Sequence, residues 1–146
     1  MRMWQLAILA GCISGTGASA ALVEASGSVK EYTSMGDASY QYVRSLSGSI
    51  TSPYSLTKSL IVGETGYGKM TVNSGGKWTY VPAKTNEFIN LGGASGADVA
   101  ISGGQWNTAG KVYVGGKAFG LGASSGHVTI SNNGKWTSSS GLNAIG

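Results

Sequence analysis

The chain has 146 residues, one domain's worth of polypeptide, with 25 glycines, two prolines and a formal charge of +4. With 41% apolar residues it is not disordered through low hydrophobicity, and its glycines lack the three-residue period of collagen. Glycine at about 17% against a usual ~7%, only 11% charged residues, and the lack of a long Ala/Leu/Glu/Lys run argue against a helical bundle and for an all-β protein rich in turns. The ten basic residues, from Arg2 to Lys135, are scattered singly, so no nucleic-acid footprint is expected; they read as solubilising charges.

In chain order, Met1-Arg2-Met3 is a short basic start, and the stretch from Trp4 to Gly11 is mostly apolar but too short to span a bilayer. Ala18-Ser19-Ala20 supplies the small residues that signal peptidase requires, which predicts a signal peptide over residues 1–20 and a mature chain beginning at Ala21. Leu9-Ala10-Gly11-Cys12 offers a second ending: it has the form of a bacterial lipobox, with Cys12 as the lipidated residue. Cys12 is the only cysteine, so neither a disulfide within the chain nor a thiolate metal site is expected. Residues 21–57 are less regular. Ser39-Tyr40-Gln41-Tyr42-Val43 and Ser49-Ile50-Thr51 read as short strands, within an N-terminal cap or a divergent first coil.

From residue 58 the chain repeats itself. Leu60-Ile61-Val62-Gly63 is followed by Met70-Thr71-Val72-Asn73-Ser74-Gly75-Gly76-Lys77-Trp78. Ile89-Asn90-Leu91-Gly92 is followed by Val99-Ala100-Ile101-Ser102-Gly103-Gly104-Gln105-Trp106, and Val112-Tyr113-Val114-Gly115 by Val128-Thr129-Ile130-Ser131-Asn132-Asn133-Gly134-Lys135-Trp136. The tryptophans are spaced by 28 and then 30 residues, a period typical of solenoids, propellers and arrays. The pairs Met70/Val72, Val99/Ile101 and Val128/Ile130 have strand periodicity, with Thr71, Ala100 and Thr129 facing the other way. The Ser-Gly-Gly and Asn-Asn-Gly segments fit either hairpin turns between antiparallel strands or corners of a coil whose turns stack in parallel. Like residues at like positions favour the coil, because stacked turns then fill a narrow core, Trp on Trp and Val/Ile on Val/Ile.

These repeats resemble the passenger repeats of bacterial autotransporters, the type V secreted proteins of the Gram-negative outer membrane, over residues 58–146. The resemblance implies a right-handed parallel β-helix, short and incomplete, exposed at the cell surface as a non-enzymatic, adhesin-like element. Its partner would be a host-surface protein or glycan. The family's C-terminal translocator barrel has no counterpart after Trp136, and the sequence stops in what reads as the opening of a fourth repeat, so a fragment of a larger passenger is expected. Attachment to the outer membrane would then need a separate translocator or a lipid on Cys12. The chain would remain periplasmic without the translocator, and an open coil end would favour self-association.

Candidate chemistry is sparse. Gly63-Glu64-Thr65-Gly66-Tyr67-Gly68-Lys69 fits the first positions of a phosphate loop, but Met70 stands where Ser or Thr is needed and a strand follows instead of a helix, so turn glycines are the better reading. The carboxylates Glu24, Glu31, Asp37, Glu64, Glu87 and Asp98 show no acid/base grouping, and His127 is alone; no catalytic residue, metal or cofactor is expected. Trp78, Trp106 and Trp136 could stack sugar rings if they face outward, as in a carbohydrate-binding or carbohydrate-cleaving β-helix; buried packing is the plainer alternative. Residues 80–88 and 117–125 read as outward-projecting insertions suited to recognition.

Overall fold

The computed structural model describes residues 22–36, 39–115, 124–140 and 143–145. It is all-β, with fifteen strands and no helix among the described residues. The N-terminal part holds β1 (Val23–Gly27), β2 (Val29–Gly36), β3 (Ser39–Ser45), β4 (Gly48–Ile50) and β5 (Tyr54–Leu56). Three successive strand triplets follow: β6 (Ser59–Val62), β7 (Gly68–Val72), β8 (Lys77–Tyr80); β9 (Phe88–Leu91), β10 (Ala97–Ser102), β11 (Gln105–Thr108); and β12 (Lys111–Val114), β13 (Gly126–Ser131), β14 (Lys135–Ser138). β15 (Asn143–Ile145) comes last.

Each triplet sends its strands to three different sheets in the same order. Sheet I runs β15-β12-β9-β6-β2-β3, sheet II β13-β10-β7-β1-β4, and sheet III β14-β11-β8-β5. Consecutive triplets pair in parallel and in register: Val62 with Leu91, Val99 with Met70 and Val128, Trp106 with Trp78 and Trp136. Strands joined by Ser-Gly-Gly or Asn-Asn-Gly therefore lie in different sheets, and these segments are corners, not hairpin turns. Alternation then sends one set of side chains inward. Met70, Val72, Trp78, Leu91, Val99, Ile101 and Trp106 are buried in one apolar cluster.

The corners explain the glycine content. Gly63, Gly92 and Gly115 occupy the same position in the three triplets, at φ +84°, +85° and +69°, and a Cβ on Gly63 would lie 2.5 Å from the Ser95 carbonyl oxygen of the next triplet. Both the left-handed backbone and the close stacking exclude a side chain there. At the second corner Gly75 and Gly103 have φ +80° and +74°; the third triplet uses Asn133 at φ +61°, the residue type that best tolerates that region after glycine.

The N-terminal part does not continue the parallel stack in every sheet. β1 pairs antiparallel with β7 and β4, and β2 pairs antiparallel with β6 and β3, while β5 stays parallel to β8. β3 covers the short strand read at 39–43, and β4 covers 49–50 of the one read at 49–51, ending before Thr51; β1, β2 and β5 had no such reading. At the other end, Val128 is only partly buried and Ile130 is 49% exposed, unlike their buried counterparts Val99 and Ile101. Among the described residues β13 has a neighbour on one side only, so its inward side chains are covered from one side.

Candidate functional site

The tryptophans form a column inside the fold. Tyr54 starts it, 6.2 Å from Trp78 between ring centroids; Trp78 and Trp106 lie 4.5 Å apart at 12°, and Trp106 and Trp136 4.7 Å apart at 19°. The two Trp–Trp distances match the ~4.8 Å separation of neighbouring strands, so the backbone pairing dictates the stack. Trp78 and Trp106 are fully buried, which leaves them no face for a sugar ring; the sugar-stacking reading of these two indoles is corrected to core packing. Trp136 is partly buried against the same core and donates from Nε1 to Thr108 Oγ1 at 3.1 Å. The Nε1 atoms of Trp78 and Trp106 and the Tyr80 hydroxyl are buried without a hydrogen-bond partner.

The carboxylates that looked scattered are mostly tied to structure. Glu31 enters the N-terminal end of the core, 3% exposed, where Arg44 grips it with two hydrogen bonds of 2.7 and 3.1 Å and the Tyr54 hydroxyl donates a third. Burial pushes the Glu31 carboxyl up, but the hydrogen bonds from Arg44 and Tyr54 and the charges of Arg44 and Lys58 outweigh it and hold the group below its usual range. Glu87 is also buried. One oxygen accepts from the Ser34 amide at 2.9 Å; the other accepts from the Ser59 amide at 2.8 Å and from the Ser59 hydroxyl. Glu87 thus pins the end of β2 and the start of β6 to the segment entering β9. Neither carboxylate is placed as an open acid/base pair.

On the outer face of sheet II, Asp98 stands in register between Lys69 and His127 and accepts from the exposed Tyr67 hydroxyl. Glu24 lies opposite Thr71 on the same sheet. No three His, Cys, Asp or Glu side chains cluster into a metal-holding group among the described residues. The segment from Gly63 to Lys69 turns a corner and enters β7, so no helix N-terminus faces a phosphate there. Of residues 80–88, 81 and 83–86 are exposed, whereas Tyr80, Glu87 and Phe88 are buried. Cys12, the signal segment 1–20, Asp37 and residues 117–123 lie outside the described residues.

The aromatic surface lies elsewhere, on the outer face of sheet I. Alternation along β2, β6, β9 and β12 turns Tyr32, Ile61, Phe88 and Tyr113 away from the main core, and with Tyr40 they form a second apolar cluster. Tyr40 and Tyr113 meet the buried Phe88 edge-on, at 5.3 and 6.2 Å, and Tyr32 meets Tyr42 at 5.9 Å. The phenols are anchored: Tyr32 donates to Glu64 at 2.6 Å, Tyr40 to the Asn86 carbonyl at 2.9 Å, and Tyr42 shares a 3.1 Å bond with Ser45. Glu64 also pairs with Lys30 at 2.9 Å. Burial, with the Glu64 carboxylate beside it, pushes the Tyr32 phenol well above its ordinary range. Within this face Asn90 is fully buried and neither amide atom has a partner.

None of these tyrosines stood out in sequence. Tyr40 and Tyr42 are legible as strand residues, but residues as far apart as 32, 42 and 113 share a face only through the register of sheet I. Comparison of the chain with protein-family models, with curated proteins and with solved structures gives no match.

Proposed function

We propose that the three triplets are turns of a right-handed parallel β-helix closed at its N-terminal end by β1–β4, and that the chain is an exported, non-enzymatic surface element of the autotransporter-passenger type. The observation that carries this reading is the register Trp78–Trp106–Trp136: one residue per turn, stacked at the strand spacing, with the same sheet order in every turn. Such a column gives length and exposed faces from a short repeat, which suits display better than catalysis. The burial of Glu31 and Glu87 and their structural hydrogen bonds support the non-enzymatic reading. The basic start, apolar stretch and Ala18-Ser19-Ala20 support export.

The test is expression of the full chain in a Gram-negative host, with fractionation and intact-mass measurement. The expected result is an envelope protein whose mature form begins at Ala21, or a lipidated form beginning at Cys12. A full-length chain confined to the cytoplasm overturns the export reading.

A further inference from the structure

We infer that β3 is a self-recognition strand: two copies of this chain join through β3 in antiparallel pairing, about a two-fold axis at Gln41, and so merge their two copies of sheet I into one. The inference goes beyond the reading of the chain as an exported column and does not depend on it.

Among the described residues β3 is the last strand of sheet I and pairs on one side only, with β2. A strand at a sheet edge presents a row of unpaired N–H and C=O groups, and what satisfies such a row is another extended strand. The N-terminal part of the fold has three such edges, and two of them are blunted. β4 and β5 have three residues each, and Pro53 stands directly before β5. β3 has seven residues and no proline. Its one charged residue, Arg44, is tied to Glu31, so no free charge guards this edge.

The sequence of β3 selects a second copy as the partner. Tyr40-Gln41-Tyr42 reads the same in both directions, and the pairing with β2 is regular over these three residues, with irregularities on either side of them. In an antiparallel pair centred on Gln41, this residue faces its own equivalent, and Tyr40 of each copy faces Tyr42 of the other. The two amides can exchange hydrogen bonds, and each Tyr40–Tyr42 couple becomes a cross-strand aromatic pair. Gln41 is exposed and Tyr42 is 53% exposed, so both are open to a partner. Tyr40 is already held against Phe88 and by the Asn86 carbonyl, and Tyr42 by Ser45, so little side-chain freedom is lost on association. No charged residue lies between Ser39 and Val43, so no like charges meet across the axis. A foreign strand would gain the backbone bonds without this matching.

Sedimentation equilibrium of the full chain between about 10 µM and about 1 mM tests this. The contact is short, so the expected result is a monomer–dimer equilibrium with a Kd on the order of 100 µM. Gln41→Lys and Gln41→Glu each set like charges opposite one another and should raise Kd about tenfold. An equimolar mixture of the two variants should recover the dimer, because opposite charges then meet. Tyr42→Thr keeps strand propensity but removes the aromatic pairs and should raise Kd about threefold. The blue-shifted emission of the buried indoles reports whether each variant is folded. A chain still monomeric at about 1 mM overturns the inference. So does a folded Gln41→Lys or Tyr42→Thr variant that dimerises like the unaltered chain, or a mixture no tighter than its two components. A dimer lost on Ile130→Lys but kept on Gln41→Lys also overturns it, and would move the contact to β13. Each of these failures leaves the export measurement untouched, so the two readings can fall separately.

Discussion

The indoles of Trp78 and Trp106, 28 residues apart in sequence, lie 4.5 Å apart and within 12° of parallel, with no solvent access to either. Each side chain packs inside its own strand triplet and forms the packing surface for the next, so this contact couples the stability of neighbouring triplets.

Replacing Trp106 by Ala opens a cavity between Trp78 and Trp136 and should cost about 3–5 kcal/mol, read as a fall in the urea midpoint. In the unmodified chain, Trp78 and Trp106 should give a blue-shifted emission component that acrylamide does not quench. Full quenching of all indole emission would contradict the column.

Glu87→Ala removes the acceptor of two buried amides, Ser34 and Ser59, and of the Ser59 hydroxyl. The loss should be on the order of 3 kcal/mol, since unpaired buried donors retain their desolvation cost. Glu87→Gln keeps one carbonyl acceptor and should recover part of it. Hydrogen exchange should speed up first at Ser34 and Ser59, where β2 and β6 are pinned.

Stability should fall in acid through Glu31. Its folded-state carboxyl is held below the ordinary value of 4.5, so its contribution is present above that pH and is lost as pH drops through the lower folded value. Thermal melts across this acid range should show the loss, and Glu31→Gln should flatten it while lowering stability near neutrality. Arg44 is largely exposed, so solvent limits the size of the effect.

At the alkaline end the sign is reversed. Burial pushes the Tyr54 and Tyr80 phenols up, with the carboxylates Glu31 and Glu87 adding to the effect at each in turn, so both stay neutral as pH passes the ordinary 10.0. Their stabilisation is present below that pH and is lost as pH rises through the higher folded values. Ultraviolet titration should show exposed tyrosines ionising first, then a late, cooperative step that coincides with unfolding.

Asn90→Leu should raise the melting temperature, because it replaces an amide with two unpaired buried atoms by an apolar side chain of similar size beside Ile61. A lowered melting temperature would show that the amide has a bonded role in that face.

Much of the repeat was legible in sequence because it depends on local rules repeated three times. Period-two alternation marks Met70/Val72 and Val99/Ile101 as strand residues with inward side chains, and positions that need a left-handed backbone or lack room for Cβ announce themselves as Gly-Gly or Asn-Gly. The recurrence of tryptophan at the same place in each repeat points in sequence alone to which residue lies on which. Tertiary structure decided the rest. Whether those indoles faced a sugar or the core depended on which side of each strand the three sheets enclose. The antiparallel pairing of β1 with β7 and β2 with β6 lies in an irregular segment with no repeat to read. The cluster of Tyr32, Tyr40, Phe88 and Tyr113 is a product of register alone: long-range pairing gathers side chains that neither spacing nor composition connects.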